Sequence, residues 1–213
     1  MNRERNILIA DDHTVVRKGL IQILMDKFQQ ANFTEVNDGN ELLHEARKGN
    51  WDIIITDLSM PGRNGLDTIK QLHSEKPMIP ILVLSIHSED QYAVRVLKAG
   101  ASGYLTKESA PDELVKAVNQ ILSGHKYINT SVAEKLLDSI DKGHSGMPHE
   151  QLSDREFDVL KLIASGKSVT EIAENLSLSV NTISTYRMRL LDKMKMKSSA
   201  ELTHYAISNH LLE

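Results

Sequence analysis

The stretch Asn6-Ile7-Leu8-Ile9-Ala10-Asp11-Asp12 is an apolar run of strand length that ends in two carboxylates. Four more short runs of β-branched or aliphatic residues follow it in the first half of the chain. The five runs cover residues 6–10, 33–36, 52–56, 79–84 and 103–106, and the run at 33–36 is the weakest. Such continuous apolar runs are typical of strands that are buried on both faces of a parallel sheet.

Amphipathic segments with apolar residues at helical spacing separate these runs. They cover residues 15–28, 39–48, 65–74, 91–99 and 112–123. Strands that alternate with helices in this way predict a doubly wound α/β domain with a five-stranded parallel sheet, of the flavodoxin-like type. A further helix is predicted at 132–140, and a polar stretch with two glycines and a proline follows at 141–151. We expect a first domain at 1–124, a partly helical linker at 125–150 and a small all-α domain at 151–213.

The composition excludes several classes of protein. With 40% hydrophobic and 25% charged residues, the chain suits a soluble globular protein. It has no cysteine, which excludes disulfide scaffolds, thiolate zinc sites and cysteine nucleophiles. No signal peptide is recognisable, and the apolar runs are far shorter than a membrane span, so a cytoplasmic location is expected. The formal net charge is −4, so a basic surface for nucleic acid has to be local.

Polar residues follow four of the predicted strands. Asp11 and Asp12 come after the first, Asp57 after the third, Ser85 after the fourth and Lys107 after the fifth. Because the carboxyl ends of parallel strands open on one edge of a sheet, these side chains are expected to converge there. Three crowded carboxylates repel one another, and a hard divalent cation such as Mg²⁺ relieves that repulsion.

This set of side chains suits phosphoryl chemistry. An aspartate beside a metal ion is a competent nucleophile towards phosphorus. The metal and Lys107 would neutralise charge on the phosphoryl oxygens, and the Ser85 hydroxyl would donate a hydrogen bond to the bound phosphate. The tight loop at 58–65 could aim a backbone carbonyl near Ser59 at the metal.

These residues, with the motifs Met60-Pro61-Gly62-Arg63-Asn64-Gly65 and Gly103-Tyr104-Leu105-Thr106-Lys107, resemble the receiver domain of bacterial response regulators over residues 5 to about 124. The resemblance implies that Asp57 accepts a phosphoryl group. It further implies a Mg²⁺ site formed by Asp12, Asp57 and the Ser59 carbonyl, with Asp11 as a supporting residue. By the same resemblance Lys107 contacts the phosphoryl group, Ser85 closes onto it and Tyr104 turns inward as an aromatic switch.

One position departs from the receiver pattern. Ile86 stands where many receivers carry a small residue, and His87 follows it. A bulky side chain there could narrow access to Asp57 and slow the gain or loss of the phosphoryl group. The alternative is ordinary packing within the loop.

The second half of the chain shows four helical patterns between Leu152 and Leu212. Ser153 with Glu156, and Ser198 with Glu201, have the spacing of capping boxes. Patterns at 169–176 and 179–194, joined by a short turn, fit a helix-turn-helix whose second helix enters the DNA major groove. Residues 187–197 hold five basic residues against one acid, a local charge of +4 that would attract DNA phosphates.

The motifs at 152–156, 166–168, 171–173, 178–183 and 193–194 are similar to those of the LuxR-type output domain, and the two halves together resemble the NarL/FixJ class of response regulators. The resemblance places Ser184, Thr185 and Met188 nearest the bases, although many relatives carry lysine at the position of Ser184. The predicted DNA-binding residues are Asn181, Thr182, Ser184, Thr185, Arg187, Met188, Arg189 and Lys193. The resemblance also implies that the last helix, 198–210, forms the dimer contact of the DNA-bound protein, through Leu202, Tyr205 and Ala206.

The sequence thus predicts a two-component response regulator in which phosphorylation of Asp57 controls dimerisation and sequence-specific binding to promoter DNA. A sensor histidine kinase or a small phosphodonor would supply the phosphoryl group. Contact with RNA polymerase is a further expectation. Binding to a membrane is not expected. The protein would not be an enzyme beyond slow self-dephosphorylation. One alternative is a metal-dependent phosphohydrolase, but Ser59 stands where such enzymes carry a second acid. The other is a receiver-like module that binds DNA or protein constitutively.

Overall fold

Five parallel strands form one sheet in the order β2-β1-β3-β4-β5. The strands are β1 Arg5–Ala10, β2 Ala31–Val36, β3 Ile53–Asp57, β4 Ile81–Ser85 and β5 Gly103–Thr106. The order changes direction between β1 and β3, where Ile7 pairs with Ile53 and Ile9 with Ile55. The predicted doubly wound fold is confirmed, and this change of direction is the place where such sheets bind ligands.

Five helices connect the strands: α1 Thr14–Met25, α2 Gly39–Lys48, α3 Gly65–Glu75, α4 Glu89–Lys98 and α5 Ala110–Leu122. Helix α1 packs against α5, while α3 packs against α2 and α4. Every residue of β3 and β4 is buried, which explains why both strands are apolar almost throughout. Strand β4 begins at Ile81 rather than at the predicted residue 79, because Pro80 has no N–H to donate to a sheet.

The structure describes residues 4–61, 63–86, 89–129, 132–134, 147–176, 178–209 and 211–212. Chain contacts separate two compact units, Met1–Leu136 and Leu137–Glu213. No helix among these described residues is both long and apolar enough to cross a bilayer.

The regular elements described in the second unit are all helices. The unit contains a short 3-10 helix, Pro148–Gln151, and the helices α6 Asp154–Ala164, α7 Val169–Asn175, α8 Val180–Lys193 and α9 Ser199–Ser208. The predicted capping box of Ser153 and Glu156 is present, and Ser179 caps α8 by accepting from the Thr182 N–H. A second full capping box, Ser168 with Glu171, begins α7 and was not predicted.

Residues near both ends of the predicted linker at 125–150 have contacts with the units, while its bounds stay a prediction. Tyr127 is buried against the first unit, and its N–H donates to the Ser102 carbonyl at 2.9 Å, because the chain continues beside β5. At the other end, Nδ1 of His149 lies 2.8 Å from the Tyr205 hydroxyl inside the second unit. Of the helix predicted at 132–140, residues 132–134 are helical. The remainder of it, and the polar stretch up to residue 146, lie outside the described residues.

We predict that Gly65→Ala destabilises the first unit. A Cβ at this position would lie 2.1 Å from the Leu58 carbonyl oxygen, so the loop after Asp57 would have to shift. Overpacking of this kind lowers the free energy of unfolding by about 1–3 kcal/mol. Gly19 is the matched control, since a Cβ there meets nothing within 4 Å and alanine favours the interior of α1. Urea unfolding followed through the single tryptophan, Trp51, measures both variants, and equal stability of the two would contradict the prediction.

Candidate functional site

The carboxyl edge of the sheet brings the predicted acidic residues and the lysine together. Asp11 follows β1, Asp57 ends β3 and Lys107 follows β5. Nζ of Lys107 lies 2.6 Å from Oδ2 of Asp11 and 2.7 Å from Oδ2 of Asp57. The two carboxylates are 1% and 4% exposed. One ammonium group therefore bridges two buried carboxylates.

Hydrogen bonds of the backbone place these groups. The Lys107 N–H donates to the Ser85 carbonyl at 2.8 Å, which directs the lysine back along the sheet edge. Oδ1 of Asp57 accepts from the Ser59 N–H at 3.1 Å, and Oδ1 of Asp11 accepts from the His13 N–H at 2.8 Å. Each buried carboxylate thus has one oxygen fixed by a backbone N–H and the other directed towards Lys107.

Charge at this edge favours the protonated lysine. Burial disfavours the ammonium form of Lys107, but the contacts with Asp11 and Asp57 outweigh burial, so the pKa of Lys107 is raised. One positive charge then faces two negative ones, and Asp12 adds a third carboxylate close by. The surplus of negative charge suits a divalent cation.

The arrangement fits Mg²⁺. Ligand atoms of Asp11, Asp12, His13 and Asp57 all lie within 4.8 Å of one another. Oδ2 of Asp11 is buried, and the described residues give it one close partner, Nζ of Lys107 at 2.6 Å. A buried oxygen with unused acceptor capacity next to two further carboxylates is a donor set for a hard cation. The predicted role of the Ser59 carbonyl stays a prediction; the Ser59 N–H donates to Oδ1 of Asp57.

His13 is part of this cluster and was not predicted. Its Nδ1 lies 2.7 Å from Oδ1 of Asp12, so the imidazole limits where that exposed carboxylate can point. The available signal was its position directly after the two aspartates that follow β1.

The loop between Asp57 and α3 is held at several points. The Asn64 side chain caps α3 by accepting from the Asp67 N–H at 3.1 Å. The Gly39 N–H donates to the Pro61 carbonyl at 3.3 Å, which ties the loop to the start of α2. A fixed loop keeps the backbone donor of Ser59 aligned with the Asp57 carboxylate.

Ser85 and Tyr104 lie inside the first unit, at 0% and 4% exposure. They sit on the neighbouring strands β4 and β5. Ile86 is 63% exposed, so its side chain is not packed within the loop. The alternative of ordinary loop packing is therefore not supported for Ile86, and His87 lies outside the described residues.

The second candidate site is the outer face of α8. Ile183 and Leu190 are fully buried and fix the opposite face of the helix against its own unit. Thr182 is half-buried, and its hydroxyl lies 2.8 Å from that of Ser179 at the start of the helix. The exposed members of the predicted DNA-binding set are Asn181, Ser184, Thr185, Met188, Arg189 and Lys193.

Two of the predicted DNA-binding cations also have partners within the unit. Nε of Arg187 donates to the Ser199 hydroxyl at 2.7 Å. Nζ of Lys193 lies 2.7 Å from Oε2 of Glu156, which is buried. Burial raises the pKa of Glu156, but Lys193 and the Ser153 N–H and hydroxyl outweigh burial, so the pKa is lowered overall. This ion pair joins α6 to the end of α8 and was not predicted.

The predicted dimer contact needs correction. Leu202 and Ala206 are 0% exposed, because that stripe of α9 packs against α6 in the core of the same unit. They therefore cannot be surface contacts for a partner. Tyr205 is half-buried and is one of the residues that line a surface groove. The remaining lining residues are Met196, Ala200, Glu201, His204, Ser208 and Asn209.

Comparison with known proteins agrees with both units. The family model of the response regulator receiver domain matches residues 7–119. That of the bacterial regulatory proteins of the luxR family matches residues 150–206. The response regulator UvrY of Escherichia coli (strain K12) is 35% identical over 97% of this chain and 95% of its own length. The response regulator GacA of Pseudomonas aeruginosa is 32% identical over 97% of both chains.

A solved structure is similar over both units. RcsB from Salmonella enterica serovar Typhimurium, bound to promoter rprA in the presence of the phosphomimetic BeF3-, has a TM-score of 0.66 and 31% identity. The match covers 95% of this chain and 98% of that one. The chain therefore belongs to the bacterial response regulators, with a receiver domain followed by a DNA-binding domain of the LuxR type.

We predict that Glu156→Gln loosens α6 at neutral pH. Removal of the carboxylate leaves Lys193 and the Ser153 donors with a weaker acceptor, which costs about 1–3 kcal/mol. Since folding lowers the pKa of Glu156 below its ordinary value of 4.5, the pair stabilises the unit at neutral pH. That contribution is lost as the pH falls from about 4.5 through the lowered pKa.

Hydrogen exchange of the α6 amides measures this effect. The difference between wild type and Glu156→Gln is expected to be large at pH 7 and to shrink below pH 4.5. Glu174→Gln, an exposed change in the same unit, is the control and should not alter exchange. Identical exchange of Glu156→Gln and wild type at pH 7 would refute the role of the pair.

Proposed function

We propose that this response regulator accepts a phosphoryl group on Asp57, and that phosphorylation controls its dimerisation and its binding to promoter DNA. The observation that carries the proposal is the contact of Lys107 with Asp57, at 2.7 Å, next to the buried Asp11. It supplies a buried nucleophile, a cation for the incoming charge and a metal-binding carboxylate in one place.

The residues at the site have separate roles in this proposal. An oxygen of Asp57 forms a bond to phosphorus as the phosphorus–nitrogen bond of a kinase phosphohistidine breaks. Lys107 then turns from the carboxylate to the phosphoryl oxygens, and Ser85 donates its hydroxyl hydrogen to one of them. Bound Mg²⁺, held by Asp11, Asp12, Asp57 and the Ser59 carbonyl, would supply further neutralisation of charge.

The residue at position 59 favours a protein that accepts a phosphoryl group over an enzyme that hydrolyses phosphate esters repeatedly. A hydrolase of this type needs an acid near the nucleophile to move a proton. Two residues after Asp57 the chain has Ser59, whose N–H instead holds the carboxylate. We therefore propose no enzymatic activity beyond slow loss of the phosphoryl group. Ser85 and Tyr104 form the proposed switch that responds to phosphorylation of Asp57.

The second unit reads DNA in this proposal. Residues 151–213 act as the output domain, joined to the receiver at 1–124 by the segment 125–150. Ser184, Thr185 and Met188 face the bases, and Thr182 with the neighbouring basic residues of α8 meets the phosphates. The solved RcsB structure bound to a promoter supports this docking of a similar fold. A sensor histidine kinase is the proposed donor, and RNA polymerase a further partner.

Asp57→Asn is expected to abolish phosphoryl uptake, because the amide is a poor nucleophile and no longer pairs with Lys107. Purified protein with acetyl phosphate and Mg²⁺ is followed by intact mass for the gain of one phosphoryl group. Asp26→Asn, an exposed aspartate in the same unit, is the control and should label like wild type. Labelling of Asp57→Asn at the wild-type rate would show that another residue is the acceptor.

Phosphorylation is expected to increase DNA affinity, because it shifts the population towards the form that binds as a dimer. Selection of duplexes from a random pool, with and without beryllium fluoride as the phosphate mimic, identifies the target. Binding of the selected duplex is then compared in both states. An equal affinity in the two states would favour the constitutive DNA-binding module instead.

A further inference from the structure

Helix α8 ends in an uncommon way. Its C-terminal turn closes with two hydrogen bonds, from the Lys195 N–H to the Asp192 carbonyl at 3.1 Å and from the Met196 N–H to the Leu191 carbonyl at 2.9 Å. This pair of bonds defines a Schellman motif, which needs a left-handed residue after the helix cap. Lys195 fills that position with a φ of 55° and is the single non-glycine residue with positive φ in the described part of the chain.

Three other helices of this chain end in the same motif. The left-handed residue is Gly100 after α4, Gly124 after α5 and Gly166 after α6, and the same two hydrogen bonds are present each time. Glycine suits the position because it has no Cβ to clash with the carbonyl oxygen. Glycine therefore fills the position at these three helix ends, whereas lysine fills it at the end of the proposed DNA-reading helix. The longer bond of the motif is also present after α7 and α9, from the Leu178 N–H to the Ala173 carbonyl and from the Leu211 N–H to the Ala206 carbonyl. The residues that follow the caps of those two helices, Ser177 and His210, are not among the described ones.

The side chain of Lys195 is free to act outside the unit. It is exposed and has no ion pair with any described residue, unlike Lys193, which pairs with Glu156. Arg187 likewise donates to Ser199. Some of the basic side chains at 187–197 are therefore bound to groups within their own unit. Lys195 is one of those that can contact a ligand.

The length of α8 places Lys195 near a DNA strand. The helix has 14 residues, which makes it about 21 Å long. The major groove is about 12 Å wide, so a helix with its first turns at the bases has its far end at the level of the phosphates. Lys195 lies just beyond that end, seven residues after the exposed Met188.

We propose that Lys195 contacts a DNA phosphate. Its left-handed backbone conformation is one that glycine adopts more readily, so a lysine at this position makes the unit less stable but places a positive charge there. This inference rests on the proposed function of the second unit as a DNA reader. A competing role is to offset the negative end of the α8 dipole, which would stabilise the unit without any DNA. The two roles predict opposite effects of removing the side chain.

Lys195→Gly separates the two roles in the full-length protein. The probe is a duplex that the wild-type protein selects from a random pool. We expect Lys195→Gly to bind it about three- to tenfold more weakly for each copy bound, with the salt slope of log K reduced by about 0.9 per copy. Hydrogen exchange of the α8 amides should be no faster than in wild type, which excludes unfolding as the cause.

Control variants make the result specific. Lys195→Arg keeps the charge and should keep the affinity. Lys27→Gln removes the same charge from an exposed site in the first unit and should bind like wild type. A scrambled duplex should lose affinity for Lys195→Gly by the same factor as the selected one, because a phosphate contact carries no sequence information.

The outcomes that overturn the proposal differ from those that overturn the function. Wild-type affinity of Lys195→Gly, or faster α8 exchange with unchanged affinity, refutes the phosphate contact and leaves the DNA-reading function in place. An equal loss in Lys195→Arg or in Lys27→Gln also refutes it. If the wild-type protein selects no duplex from the pool, the proposed DNA-reading function fails, and this inference fails with it.

Discussion

Two buried carboxylates that share one ammonium group impose the main constraint on the first unit. Asp11 and Asp57 are brought together because β1 and β3 are neighbours at the point where the strand order changes direction. Burial of two such charges without a cation would be strongly unfavourable, so Lys107 has to arrive from beyond β5. The parallel sheet, the loop fixed by Asn64 and the burial of Ser85 can all be understood as supports for this arrangement.

The second unit contains a simpler version of the same interaction. The buried carboxylate of Glu156 forms an ion pair with Lys193. It also accepts hydrogen bonds from the N–H and the hydroxyl of the cap residue Ser153. Among the described residues, no cluster of three or more metal-ligating side chains includes this pair. A carboxylate against a lysine thus organises a reactive site in one unit and holds two helices together in the other.

The sequence was informative where physical rules are local. The position of Asp57 and Lys107 at strand ends predicted that they belong to the site. A serine three residues before a glutamate predicted the start of α6. It was less informative where tertiary contacts decide. Apolar spacing identifies the stripe of Leu202 and Ala206 but not whether it faces the unit's own core or a partner. The left-handed backbone of Lys195 could not be foreseen either, since a lysine gives no local signal for positive φ.

Because His149 is hydrogen-bonded to Tyr205, the short 3-10 helix Pro148–Gln151 is joined to α9. The His149 ring also lies beside the ring of Phe157, at 6.2 Å between centroids, so this contact rests on the core helix α6. A pull on the chain before Pro148 therefore acts on α9 as well as on the 3-10 helix, and α9 is itself joined to α8 by the hydrogen bond between Arg187 and Ser199.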